Sequence, residues 1–211
     1  MSQADFGPNE FQLATGVSRE TLERFGTYHS LLIEWQQRFN LMGRGTVGAI
    51  WHRHFLDSAQ LNTLCGPRCS RLVDLGSGAG FPGMVLALMG QSGVELIESN
   101  GKKCLFLERV SVSTDAQVGI TKARFDEVER PKRADVVTAR AVAPLDKLLR
   151  DVSRWVKPGG VALLQRGSRF EGELAEAGRI WDFQVIRHPS ITNPAGAILE
   201  ISRIKAKKCL N

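Results

Sequence analysis

From Ser18 onward, apolar residues recur three or four positions apart: Leu22, Phe25, Tyr28, Leu32, Trp35 and Phe39. That period is the single stripe of an amphipathic helix, and Ser18 is a residue type that caps helix N-termini. Residues 1–17 are polar, hold Gly and Pro, and are expected to be frayed. Asn40 to Gly48, with three glycines, reads as a loop, and a second helix is predicted over Ala49 to Leu64 with Trp51, Phe55, Ala59 and Leu64 inward. These helices cannot bury both faces by themselves. Residues 1–70 therefore read as a helical N-terminal lobe docked on a second unit, residues 71–211.

After Arg71 the period changes. Apolar runs of strand length alternate with helical segments: RLVDLG then Pro82–Met89, VELIES then Lys102–Val112, AQVGIT then Phe125–Glu129, ADVVTA then Leu145–Val156, VALLQR then Phe170–Arg179. Such interleaving predicts an α/β fold with a mostly parallel sheet covered on both faces. WDFQVIRH and AILEISRI have no helix-length connector, so they should pair as an antiparallel hairpin. A mostly parallel, seven-stranded sheet ending in such a hairpin resembles the Rossmann-like class I S-adenosylmethionine (SAM) methyltransferase architecture, and it departs from a pure dinucleotide fold.

Charge and cysteines narrow the partners. The net charge of +6 lies wholly in residues 71–211, since residues 1–70 carry as many acids as Lys and Arg. A polyanion such as RNA fits that excess, as does a merely solvated basic surface. Cys65 and Cys69 have no second Cys or His pair at finger-like spacing, so reduced thiols and no metal are expected. No apolar run of membrane-spanning length and no secretory leader are legible, so a cytoplasmic location without membrane contact is expected.

The candidate chemistry begins in DLGSGAGFPG, Asp74 to Gly83. From Gly78 it reads as the G-x-G-x-x-G of a dinucleotide site; from Asp74 it reads as the acid and glycines that open many SAM sites. Gly76 and Gly78 let the backbone approach a ligand. Pro82 lacks an N–H that a pyrophosphate would use, and Asp74 opposes a dianion but suits a sulfonium and an ammonium. Both favour SAM. Glu98 closes the second predicted strand, twenty-two residues after Gly76, where its carboxylate can accept from ribose hydroxyls of either cofactor. Phe125 and Asp126, after the third strand, suit an adenine ring and its amino group, although an acid there also suits an ordinary helix start.

After the fourth strand stands Arg140, in TARAVAP. The Asn/Asp-Pro-Pro-aromatic run of amino-group methylases and the Pro-Cys nucleophile of pyrimidine-C5 enzymes are both absent. Arginine stays protonated and cannot be a general base. It can bind a carboxylate, a phosphate or the O6/N7 edge of guanine, or make a structural ion pair. An NAD-dependent oxidoreductase and a non-enzymatic RNA-binding module remain the alternatives to a methyltransferase.

HFLDS (54–58), LVDLGSGAGFPG (72–83), ESNGKKCLFL (98–107), RFDEVE and ARAVAPLDKLL (139–149) occur in the order seen in the glucose-inhibited division protein B family. These are bacterial small-subunit ribosomal RNA guanine-N7 methyltransferases, which the chain resembles over roughly Phe39 to Gly167. The resemblance implies SAM as cofactor, with S-adenosylhomocysteine as product. It implies 16S ribosomal RNA or the small subunit as partner, with a monomer expected. Gly76, Phe81, Phe125, Asp126 and Arg140 look like the family's SAM-contacting residues. Glu98 and Asp126 stand where the family commonly has Asp and often Glu. Guanine N7 carries a lone pair and no proton, so its methylation needs no general base, and none is assigned. Arg53, Lys102, Lys103 and Arg166 are candidate RNA contacts, together with RPKR (130–133), Arg169 and the tail RIKAKK (203–208).

Overall fold

The computed structural model describes residues 6–140 and 142–207; Ala141, Lys208 and Cys209 lie outside the described residues. Helix α2 spans Arg19–Gln36, and the Ser18 hydroxyl caps it by accepting from the Thr21 N–H at 3.1 Å. It stops short of Phe39 because Gln36 folds back on the chain, accepting from the N–H groups of Leu41 and Met42 at 2.9 and 3.0 Å. The expected loop instead winds into a 3₁₀ helix at Arg44–Ala49, followed by a π-helical turn at Trp51–Leu56 and the short α3, Asp57–Ala59.

Residues 8–15, expected to be frayed, form helix α1, Pro8–Thr15. Pro8 opens it, the Glu10 carboxylate accepts from the Gly7 N–H at 2.9 Å, and Gly16 closes it at φ 68°. The helix is held by one side chain above all. Phe11 is fully buried, edge-on to Phe25 at 4.8 Å and close to Trp51 and Phe55.

The strands are β1 Leu72–Leu75, β2 Val94–Glu98, β3 Val118–Lys122, β4 Ala134–Arg140, β5 Val156–Arg166, β6 Trp181–Pro189 and β7 Ala197–Ala206. They form one seven-stranded sheet in the order β3-β2-β1-β4-β5-β7-β6. β1 to β5 pair in parallel, and β7 runs antiparallel between β5 and β6. Buried on both faces, β1 is apolar except for Asp74. The helices α4 (Gly83–Leu88), α5 (Gly101–Thr114), α6 (Leu145–Trp155) and α7 (Phe170–Ile180) cover the sheet.

The expected helix at Phe125–Glu129 does not form; Arg124–Glu127 is a turn closed by a Glu127 N–H to Arg124 carbonyl bond of 3.1 Å. The carbonyls that a helix would use are taken by α6. Trp155 donates to Phe125 at 3.1 Å, and Arg154 donates to Asp126 at 3.0 Å and to Val128.

The lobe shares its core with the sheet. Phe25, Tyr28 and Phe55 belong to one apolar cluster with Met84, Phe106 and Leu107, while α6 and α7 pack a second cluster on the opposite face. The Tyr28 hydroxyl reaches into the loop after β1 and donates to the Ala79 carbonyl. A Cβ on Gly80, at φ 99°, would stand 2.5 Å from that hydroxyl oxygen, so only glycine fits there.

Candidate active site

The chain runs from β1 outward to β3, then returns to place β4 on the other side of β1, and a ligand crevice opens at such a reversal. The loops after β1, β2, β3 and β4 meet here. They enclose a cavity of about 350 Å³ lined by Gly76, Glu98, Arg124, Phe125, Asp126 and Val142, among others.

Gly76, at φ 68°, forms the narrow floor; a Cβ on it would press on both Val142 methyls at 3.2 Å. Glu98 is 7% exposed, and its two oxygens accept from the Gly78 and Asn100 N–H groups at 2.8 and 2.7 Å. Each carboxylate oxygen has a second lone pair. Glu98 therefore keeps acceptor capacity for a pair of hydroxyls while its position is fixed. Phe125 and Asp126 stand together across the cavity, and Arg124, 2.8 Å from Asp126, holds that carboxyl below its ordinary pKa.

Asp74 does not face the cavity. It is fully buried, accepting from the Thr138 hydroxyl at 2.7 Å and from the Gly83 N–H at 3.2 Å, and burial raises its pKa. The expected contact with a sulfonium and an ammonium is replaced by capping of α4. A pyrophosphate is still disfavoured, by another route: Pro82 has no N–H, Gly83 donates to Asp74, and Met84 donates to the Gly80 carbonyl at 3.0 Å. Pro82 stands just before the first helical residue of α4.

Phe81 also lies outside the cavity. Its ring packs between the lobe and the sheet, stacked near His54 at 4.8 Å and Tyr28 at 5.7 Å. The Arg140 guanidinium lies 5.0 Å from the same ring. Arg140 itself points away from the cavity, into a second one of about 400 Å³ between the lobe, the ends of β4 and β5, and the β6–β7 loop. There it donates from Nη1 to Asp57 and to the Arg53 carbonyl, both at 3.3 Å, and from Nη2 to His54 Nδ1 at 3.0 Å. Burial works against the Arg140 charge, and Asp57 is the leading group that restores it.

Arginine only donates, so His54 Nδ1 must accept and the ring is neutral, with its proton on Nε2. That N–H donates to the Thr46 hydroxyl at 2.9 Å, which in turn donates to the Gly43 carbonyl at 2.7 Å. Burial first, then Arg140 and Arg53, push the His54 pKa down to about 3. His52, two positions earlier, packs against Phe6 instead. Among the described residues, no three His, Cys, Asp or Glu side chains gather as metal ligands.

The basic candidates separate by position. Arg53 is exposed beside the second cavity, and Lys102 and Lys103 open α5 on the cavity side, with Lys102 5.2 Å over the Phe39 ring. Arg166 is different. Its side chain is 6% exposed, donates to the Ala143 carbonyl at 2.7 Å and forms an ion pair with Glu173 at 3.4 Å. Arg166 still borders the second cavity, beside Gln165, with its Nη1 turned toward Glu173 of α7 and the loop after β4. RPKR precedes β4 and residues 203–207 end the antiparallel β7, so both lie at the end of the sheet opposite the cavities. His54, Asp57, Gln165 and Thr192 enter the second site without having stood out in the sequence, apart from the HFLDS run that carries His54 and Asp57.

A family model described as rRNA small subunit methyltransferase G (GidB) matches residues 21–200. A relative from Paramagnetospirillum magneticum, named ribosomal RNA small subunit methyltransferase G, is 48% identical, covering 95% of this chain and 99% of the relative. One of the same name from Rhodospirillum centenum is 46% identical over 94% of this chain and 92% of its own length. Among solved structures, the ribosomal protein L11 methylase of Lactobacillus delbrueckii subsp. bulgaricus matches with a TM-score of 0.56 at 16% identity, covering 69% of this chain and 76% of that one. A SAM-dependent methyltransferase from Aquifex aeolicus gives 0.53 at 15%, covering 69% and 89%. At these identities the two structures speak for the fold.

Proposed function

Because the chain belongs to the rRNA small subunit methyltransferase G family, we infer that it transfers the methyl group of SAM to N7 of a guanine in 16S ribosomal RNA. The observation that carries this reading is a pair of cavities at the carboxyl ends of the parallel strands. One is lined by Gly76, Glu98, Phe125 and Asp126; the other, walled by arginines, lies across the end of β4.

The first cavity fits the cofactor. A Cβ on Gly76 would fill its floor, Glu98 keeps acceptor lone pairs for ribose hydroxyls, and Phe125 with Asp126 suits an adenine ring and its amino group. When bound, SAM supplies an electrophilic methyl, and its product is S-adenosylhomocysteine. The chain's own residues do the rest by placement. Guanine N7 has a lone pair and no proton, so no base is required, and His54, locked neutral against Arg140, abstracts nothing. Arg140 has five guanidinium N–H groups and commits three, to Asp57, Arg53 and His54. The Nε–H and one Nη2–H remain to hold the guanine at O6, leaving N7 free. Correct placement of the reacting atoms is worth about 7–11 kcal/mol in favourable cases.

The base must leave its stack to enter the second cavity. Arg53, Lys102 and Lys103 line the approach from the phosphate backbone. The substrate would be met in the cytoplasm. No helix among the described residues is long and apolar enough to cross a membrane.

The test uses small ribosomal subunits lacking their own N7 methylation, incubated with SAM and the protein. Borohydride and aniline then cleave the RNA at N7-methylguanine. We expect one new SAM-dependent break, lost in Gly76→Val, whose side chain would fill the cofactor cavity. No break with the wild-type protein would overturn the guanine-N7 reading.

A further inference from the structure

Three distant parts of the chain meet on one carboxylate. Asp57, in the lobe, accepts through Oδ1 from Thr192 Oγ1 of the β6–β7 loop at 2.5 Å and from Gln60 Nε2 at 2.9 Å. Through Oδ2 it accepts from Gln165 Nε2 of β5 at 2.6 Å and from Arg140 Nη1 of β4 at 3.3 Å. A carboxylate offers about four lone-pair sites. All are used, so Asp57 has none left for a substrate donor.

The donors are fixed in turn. Gln165 Nε2 also reaches the Asp57 carbonyl at 2.8 Å, and the reversed amide would set oxygen against two acceptors. Arg140 has Asp57 on one side and His54 on the other, so its guanidinium plane cannot swing. Gln60 extends the arrangement by accepting from the Ile191 N–H at 3.0 Å, which ties down the loop that carries Thr192. Arg140, Gln165 and Thr192 all line the second cavity.

We propose that Asp57 is a positioning residue for methyl transfer: it holds Arg140 and the Thr192 loop as facing walls of the acceptor cavity. This rests on the function proposed above. Asp57 touches neither the guanine nor the cofactor. Its effect reaches the reaction through the direction of the two free Arg140 N–H groups.

Asp57→Asn tests this, because an amide of the same shape presents one acceptor oxygen and must point its NH₂ at two donors. Methyl transfer from tritiated SAM to unmethylated subunits should show kcat lowered by about 10²-fold, the scale of a misplaced positioning group. SAM binding, read by calorimetry, should be unchanged. In an Arg140→Lys background the same substitution should add no further loss, since paired residues are not additive. Thr192→Val, which removes one donor, should give a smaller loss in the same direction if Asp57→Asn fails to fold. A loss that multiplies with that of Arg140→Lys, or no loss of kcat, overturns the proposal.

A second readout is independent of activity. The ¹⁵N-resolved Arg140 Nη1 signal, assigned by its absence in Arg140→Lys, should exchange slowly in the wild type, where Nη1 donates to Asp57 and to the Arg53 carbonyl, and be broadened in Asp57→Asn or Thr192→Val. If the wild-type protein methylates no subunit RNA, the functional reading falls and this spectrum still decides the role of Asp57. An unchanged Arg140 signal in both variants overturns it.

Discussion

A buried imidazole that must stay neutral makes stability depend on pH. His54 accepts from Arg140 at 3.0 Å and its pKa is pushed down to about 3, by burial first and then by Arg140 and Arg53. In the unfolded chain its pKa returns to about 6.5. Between those values the unfolded state binds a proton that the folded state refuses, so stability is full above about pH 6.5 and falls as pH drops toward 3. At pH 5 the loss from this one ring is about 2 kcal/mol. His29, half-buried and also lowered, adds to it in the same direction. Asp135, held down at about 2 beside Lys157, loses its contribution only in more acid solution. Urea unfolding at pH 5 and pH 7.5 should therefore show a gap that shrinks by about 2 kcal/mol in His54→Gln. An undiminished gap would mean the ring is not buried neutral. The sequence made the glycine loop and Glu98 legible because each sits where a strand ends, and strand ends are local features. The Asp57 centre was not legible, since its partners Gln165 and Thr192 stand 108 and 135 positions away and are ordinary residue types.

Elements were read where period and length agreed, and missed where a tertiary partner decided the outcome. The seven strands are apolar runs of strand length between helical segments, and the structure has them in the predicted places. Helix α1 carries only Phe11 inward, too few apolar positions to register as a stripe. The turn after β3 carries helix-like residues, but Arg154 and Trp155 of α6 hold its carbonyls. Each miss leads to an expectation. If α1 is held by one ring in an aromatic pocket with Phe25, Trp51 and Phe55, then Phe11→Ala should cost about 3–5 kcal/mol, the range for a buried Phe. Leu13→Ala on the exposed face should cost almost nothing. Urea unfolding followed by tryptophan fluorescence measures both. Equal small losses would mean that the N-terminal segment is not part of the folded core.

At the scale of the molecule, the charge excess matters less than where it stands. Basic residues gather at two ends of the sheet. Arg53, Lys102 and Lys103 lie by the cavities, while RPKR and residues 203–207 lie at the far end. An RNA that presents a base at the end of β4 cannot also follow a surface on the opposite side without wrapping the domain. Only the cavity-side groups should therefore release counterions from phosphates on binding. Each lost phosphate contact should flatten the dependence of log K on log salt by about 0.7–0.9. Filter binding of small-subunit RNA across a salt series should show that change for Arg53→Gln and for Lys102→Gln. Replacing Arg130, Lys132 and Arg133 together by Gln should leave the slope as it was. If the far-side triple variant flattens the slope as much as the cavity-side ones, RNA wraps both ends of the sheet. The two cavities would then be one station on a longer path rather than the centre of the contact.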